Sequence, residues 1–196
     1  CTSFHSEKAT IKDKTGLILD AYFSASKIKW ILDTLNLHDQ AHRLCFGTVD
    51  SWILWKLSNH SVHKTDISNA SRSMLFNIHQ LTYDPYLCSL FTIPETILPE
   101  VCPSGHEFGH THSSLFKKEI PILSMLGDQQ ASLFFHGYGE SGILKNTYGT
   151  GLFVVAPTGN KICQSNQLVS TIGWQLEKTI EYAVEGSIFV GGSGVQ

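Results

Sequence analysis

The chain has 196 residues, 42% of them hydrophobic, enough to bury a core in one large or two small domains. A net charge of −3 without any Lys/Arg block argues against a nucleic-acid or anionic-membrane partner. No apolar run reaches transmembrane length, so no membrane insertion is expected.

In chain order, residues 1–16 are mixed and polar and read as a frayed entry. Ser24 is placed to cap a helix whose apolar positions Ile28, Ile31, Leu32 and Leu35 keep helical spacing, with Asn36 at its stop. Gly47-Thr48 opens a second helix with Asp50 in its first turn and Trp52, Ile53, Trp55 and Leu57 as buried candidates. Segments 61–66 and 73–78 read as strands about a turn at Ser68-Asn69, and 83–91 as a short helix. Residues 102–119 are turn-rich and are expected to form a loop.

The apolar run 120–126 predicts a short buried strand. Gly127 permits a turn, Asp128 falls at a helix N-cap position, and Ala131, Leu133, Phe134 and Phe135 supply the buried face of the helix that follows. This puts a carboxylate at the carboxyl end of a strand, where open α/β sheets collect ligands. On this stretch alone, capping is the simpler role for Asp128. His136-Gly137-Tyr138-Gly139 reads as a linker. Segments 142–148 and 152–156 form a hairpin about Gly149-Thr150-Gly151, 167–175 and 179–184 are further strands, and Glu185-Gly186 is expected to start a helix. Strands mixed with helices place the chain in the α/β class.

His106-Glu107-Phe108-Gly109-His110 matches H-E-x-x-H, but that spacing grips Zn²⁺ only on a helix. Pro103, Gly105 and Gly109 oppose one here. The five cysteines (Cys1, Cys45, Cys88, Cys102, Cys163) are odd in number and contain no C-x-x-C pair, which fits reduced thiols in a cytoplasm. Glycines beside Thr150 would let backbone N–H groups approach an anion, although a hairpin turn alone also favours glycine. Gly191-Gly192-Ser193-Gly194 allows the same two readings, and the aromatics read singly as core. A carboxylate at a strand end and a glycine turn in a second unit, facing across a cleft, are parts that phosphoryl transfer uses.

Six segments (16–33, 46–57, 65–79, 127–134, 145–153 and 184–196) together resemble the glycerol kinases of the FGGY carbohydrate kinase family. GTVDSWILWKL, NASRSMLFNIH, GDQQASLF and KNTYGTG are the most telling. The resemblance implies an actin/hexokinase-like (ribonuclease H-like) ATPase fold, with residues 1–138 ending a substrate lobe and 139–196 beginning a nucleotide lobe. It implies ATP-dependent phosphorylation of glycerol with Mg²⁺, in a cytoplasmic enzyme that forms a homo-oligomer at full length. By the same resemblance Asp128 is the general base, while Gln129, Tyr22 and Phe153 contact the substrate. Gly149, Thr150, Gly151, Gly192 and Gln196 face the nucleotide, and no metal ligand is assigned. Intact family members carry a D-x-G-T-T loop, an Arg-Glu pair and a Trp upstream of this region. The chain is therefore expected to be an internal piece, without useful kinase activity alone. Lys117-Lys118-Glu119 stand where some members carry Gly-Gly-Thr-Arg for a sugar-bisphosphate inhibitor. The other readings are a different FGGY polyol or sugar kinase and a non-catalytic remnant.

Overall fold

The computed structural model describes residues 2–138, 142–149, 151–165, 167–188 and 190–192. A 3-10 turn, Thr2–Glu7, leads into α1, Lys8–Thr15, which Gly16 ends at a φ of +73°. The Gly16 carbonyl accepts the Ser170 amide at 3.0 Å and so ties this helix to a distant strand. In α2, Ser24–Thr34, the cap position falls to Phe23, and Ser24 is the first helical residue. Ile28 and Leu32 are buried as the spacing predicts, whereas Ile31 and Leu35 are exposed. Asn36 leaves the helix at a φ of +52°, a conformation that Asn tolerates.

The third helix, α3 (Val49–Leu57), begins after Thr48 with Asp50 in its first turn, but it buries the other face. Ser51 and Leu54 point inward, and Leu54 packs with Cys102 and Phe108, so Trp52 and Ile53 stay exposed. Strand β1, Lys64–Asp66, is followed by the single turn α4, Ile67–Ala70, where the sequence suggests a plain turn. Strands β2 (Phe76–Asn77) and β3 (Thr82–Tyr83) pair antiparallel, and Asp84 caps α5, Pro85–Leu90. Strand β4, Glu100–Cys102, runs parallel to β1.

The stretch expected to be a loop contains β5 (Gly105–His110) and α6 (Ser113–Phe116). Phe108, 1% exposed, anchors β5 in the core, so His106 and His110 lie on a strand and lack the helical geometry of a zinc motif. Strand β6, Pro121–Ser124, is an edge strand with mostly exposed residues, where burial was expected. Pro121 suits that place, since it has no N–H to give to a neighbour. Helix α7, Asp128–Gly137, absorbs His136 and Gly137 of the expected linker; Leu133 is buried and Phe135 is 82% exposed.

The predicted hairpin is present as β7, Lys145–Tyr148, and β8, Leu152–Gly159. It is joined by β9, Val169–Leu176, and β10, Thr179–Ile188. Glu185 and Gly186 continue β10, where a helix start was expected, because Glu185 pairs inward and the ladder to β8 runs on to Ile188. The six strands lie in the order β6-β5-β9-β10-β8-β7, antiparallel except for the β5–β9 contact. Leu133 of α7 packs on Val155, Trp174 and Ala183, which seats the start of α7 beside the β7–β8 hairpin. Ile67, Ala70, Phe76 and Ile78 pack on Ile172 and Tyr182 and join the helical part to the same sheet.

Candidate active site

Asp66 organises the turn that precedes Asp128. Its carboxylate is fully buried and accepts five hydrogen bonds. Oδ1 takes the Ser68 hydroxyl, the Asn69 N–H and the Asn69 side-chain amide; Oδ2 takes the Ser68 N–H and the Ser104 hydroxyl, all at 2.7–3.0 Å. Burial pushes this carboxyl above its ordinary value, and the surrounding donors pull it part of the way back. The Ser68 oxygen in turn accepts the Gly127 N–H at 3.0 Å. The residue before Asp128 is thus pinned to a buried hub.

Gly127, with extended backbone, takes the cap position of α7, and Asp128 is the first helical residue. Its Oδ1 accepts the Gln129 N–H at 2.7 Å and the carboxylate is exposed, so Asp128 reaches solvent from a helix N-terminus and is not the cap. Gln129 is half-buried, and its Oε1 accepts from Lys145 Nζ at 2.5 Å and from the Thr147 hydroxyl at 3.0 Å.

Asp128 and Gln129 border a cleft of about 850 Å³ whose walls also carry Tyr22, Phe153, Arg72 and Glu185. All four residues assigned to the substrate therefore meet in one place, although they come from three separate parts of the chain. Tyr22 is held by its backbone: its N–H donates to Asp20 Oδ1 at 2.7 Å and its carbonyl accepts Lys27 Nζ at 2.8 Å. Phe153 stands on β8 opposite Thr147 of β7 and Ser187 of β10. A second depression of about 730 Å³ adjoins the cleft, shares Asp128 and Gln129, and is lined by Lys145 to Tyr148.

The two glycine runs, remote in sequence, come together. The Gly192 N–H donates to the Gly149 carbonyl at 2.9 Å, and the Gly149 N–H to the Gly151 carbonyl at 3.0 Å. A Cβ on Gly192 would lie 2.9 Å from the Gly149 carbonyl oxygen, and one on Gly151 would lie 3.1 Å from the Phe153 ring and 3.2 Å from the Ile188 carbonyl. Glycine is needed at both places because backbone, or the Phe153 ring, approaches too closely for a side chain. Thr150 and Gln196 lie outside the described residues. Among the described residues, no three His, Cys, Asp or Glu side chains are grouped to hold a metal ion. Burial pushes the Cys88 and Cys102 thiols up to about 12 and about 11, which disfavours the thiolate that nucleophilic attack needs.

Residue-by-residue reading missed Arg72, Glu185, Lys145 and Asp66. Arg72 Nη2 meets Glu185 Oε1 at 2.9 Å, its guanidinium lies 5.3 Å from the centre of the Phe23 ring, and its Nη1 is buried with no hydrogen-bond partner among the described residues. Glu185 is 3% exposed and also accepts the Ser187 hydroxyl. A carboxylate followed by Ser and Asn two and three residues on is a capping signal, and could have marked Asp66. The Arg72–Glu185 partnership spans 113 residues and leaves no local trace.

The N-terminal domain pattern of the FGGY family of carbohydrate kinases matches residues 2–135. A glycerol kinase of Pseudothermotoga lettingae is 55% identical over 192 residues, a match covering 95% of this chain and 38% of that protein. The crystal structure of Plasmodium falciparum glycerol kinase with ADP superposes with a TM-score of 0.88 at 33% identity, covering 99% of this chain and 40% of that one. A xylulose kinase from Rhodospirillum rubrum reaches a TM-score of 0.80 at 17% identity over 99% and 40% of the two chains, a likeness of fold alone. The architecture is therefore that of the actin/hexokinase-like ATPases. Within that class, the chain belongs to the FGGY family of carbohydrate kinases. It spans about 38% of the length of the curated relatives it matches. Among the described residues no helix is long and apolar enough to cross a membrane.

Proposed function

We propose that this chain serves the ATP-dependent phosphorylation of glycerol to sn-glycerol 3-phosphate. The observation that carries the reading is the convergence of Tyr22, Asp128, Gln129 and Phe153 on one cleft, with the two glycine turns paired to each other. Asp128 takes the proton of the acceptor hydroxyl while that oxygen attacks the γ-phosphorus of ATP, and the bond from phosphorus to the β–γ bridging oxygen breaks to release ADP. Gln129 and Tyr22 orient the polyol, and Phe153 covers its carbon chain. Gly149, Thr150, Gly151, Gly192 and Gln196 receive the nucleotide. Mg²⁺ would neutralise charge on the transferred phosphoryl group, and no residue of the chain is assigned to hold it.

The reading includes residues 1–138 as the end of a substrate lobe and 139–196 as the start of a nucleotide lobe, in a cytoplasmic protein that self-associates at full length. It is supported by the glycerol kinases at 55% and 53% identity. The test is turnover by the protein that carries this chain, offered glycerol and several sugars with ATP. Glycerol should be the preferred acceptor, and Asp128→Asn should lower kcat by roughly 10²–10⁴. An undiminished Asp128→Asn enzyme would remove the base assignment; preference for a sugar would make this a different kinase of the family.

A further inference from the structure

Gln129 is held by the hairpin, and the way it is held fixes what it can offer a ligand. Lys145 and Thr147 stand two apart on β7, so both side chains leave the same face of the strand. Both reach Gln129 Oε1, at 2.5 and 3.0 Å. An ammonium has three donors and no acceptor, so the amide end that faces Lys145 has to be the carbonyl. The planar amide then turns its –NH₂ away from both partners. Lys145 is itself only 9% exposed; loss of solvent lowers its tendency to hold a proton, and Asp128 and Glu185 oppose that loss. The ammonium is thus enclosed, has carboxylates for company, and is aimed at one oxygen.

We propose that Lys145 and Thr147 are positioning residues that lock the Gln129 amide, so that this corner of the cleft offers a donor and no acceptor. The acceptor substrate must then present an oxygen lone pair to Gln129 while it gives its proton to Asp128. A polyol hydroxyl does both. A protonated amine in its place has no lone pair for Gln129, and a deoxy carbon leaves the amide unpaired. The inference rests on the proposed function for its substrate, but the orientation of the amide stands without it.

Two measurements on the protein that carries this chain test the proposal. In steady-state kinetics, Lys145→Met should raise KM for glycerol about tenfold and leave KM for ATP within about twofold; Thr147→Val should do the same more weakly, and Thr147→Ser more weakly still. In a Gln129→Ala background, Lys145→Met should add nothing further. Additive effects in that cycle would overturn the proposal. A neutron structure of the wild type should place the Gln129 deuterons towards the cleft, and an oxygen there would overturn it whether or not the variants fold. If the wild type phosphorylates no polyol, the proposed function fails separately, and the deuteron positions still decide the orientation.

Discussion

Replacing Asp66 by Asn keeps the shape of the side chain and removes one of its two acceptor oxygens. If the new Nδ2 takes the place of Oδ1, three donors lose their acceptor. If it takes the place of Oδ2, the Ser68 N–H is orphaned and faces another N–H. The Ser104 hydroxyl could turn to accept, but its oxygen already accepts the Gln175 N–H at 3.2 Å and its own proton would then need a partner. The second arrangement costs less. One buried N–H without a partner costs about 1–3 kcal/mol, and the other bonds weaken from charge-assisted to neutral. The total is about 3 kcal/mol, which for a chain of this size lowers Tm by about 6–12 °C. Equilibrium urea denaturation of wild type and Asp66→Asn at pH 7 measures it. A loss below about 0.5 kcal/mol would refute the reasoning. It would mean that Asp66 is protonated in the native protein, since a neutral carboxylic acid and an amide would then be near equivalents there.

Three further predictions concern stability. Glu185 is buried against Arg72, so Arg72→Met should cost about 3–5 kcal/mol by stranding the carboxylate, and adding Glu185→Leu should recover at least half; a double variant no more stable than the single one would refute this. Burial raises the Asp84 carboxyl, but Lys14 at 2.8 Å, Asn77 and the Leu87 N–H outweigh it and hold the group below its ordinary value. The folded value being the lower one, this stability is complete above the unfolded value of about 3.9 and is lost as pH falls through the folded one. Denaturation at a series of acidic pH values should therefore show a shallower acid loss in Lys14→Met, and an unchanged slope would count against the pair. Gly16 lies at a φ of +73°, and a Cβ there would press on the Ser170 carbonyl and Ile78. Gly16→Ala should cost about 2–3 kcal/mol in the same assay, and a neutral result would mean that the α1–β9 junction yields freely.

What could be read in the sequence was whatever short-range chemistry dictates. The hairpin of β7 and β8 follows from alternating residues about a glycine turn, and the ends of α2 and α3 follow from Asn36 and Thr48. The faces of the helices did not follow. Trp52 and Ile53 are large apolar candidates on α3, yet it is Leu54 that packs with Phe108, and which side meets β5 depends on residues far along the chain. Strand β5 itself was hidden because His, Glu and Gly outnumber its one buried anchor, Phe108. Glu185 reads in the sequence as a helix start, yet it lies in β10, and its partner Arg72 is brought to it only by the fold. The proposed site residues follow from the resemblance to a family, whereas the groups that hold them in place are visible only in three dimensions.

Those supporting groups have a common logic. Asp128 stands between two tethers: the Gly127 N–H is bound through Ser68 to Asp66, and the Gln129 side chain is bound to Lys145 and Thr147. The first tether belongs to the α4 turn, packed on β9, and the second to the β7–β8 hairpin. A helix N-terminus free at both sides would let its carboxylate swing through several ångströms, and general-base catalysis is sensitive to misplacement on that scale. Fixing the residue before and the residue after leaves Asp128 only its own rotamers. The arrangement also explains why Asp128 is exposed while Asp66, Ser68 and Lys145 are buried. A carboxylate in the role proposed for Asp128 has to meet ligand and solvent, whereas a hub such as Asp66 holds its geometry because it is shielded from water and fully hydrogen-bonded. On this reading the placement of Asp128 depends on Asp66, Ser68, Lys145 and Thr147, none of which lines the larger cleft.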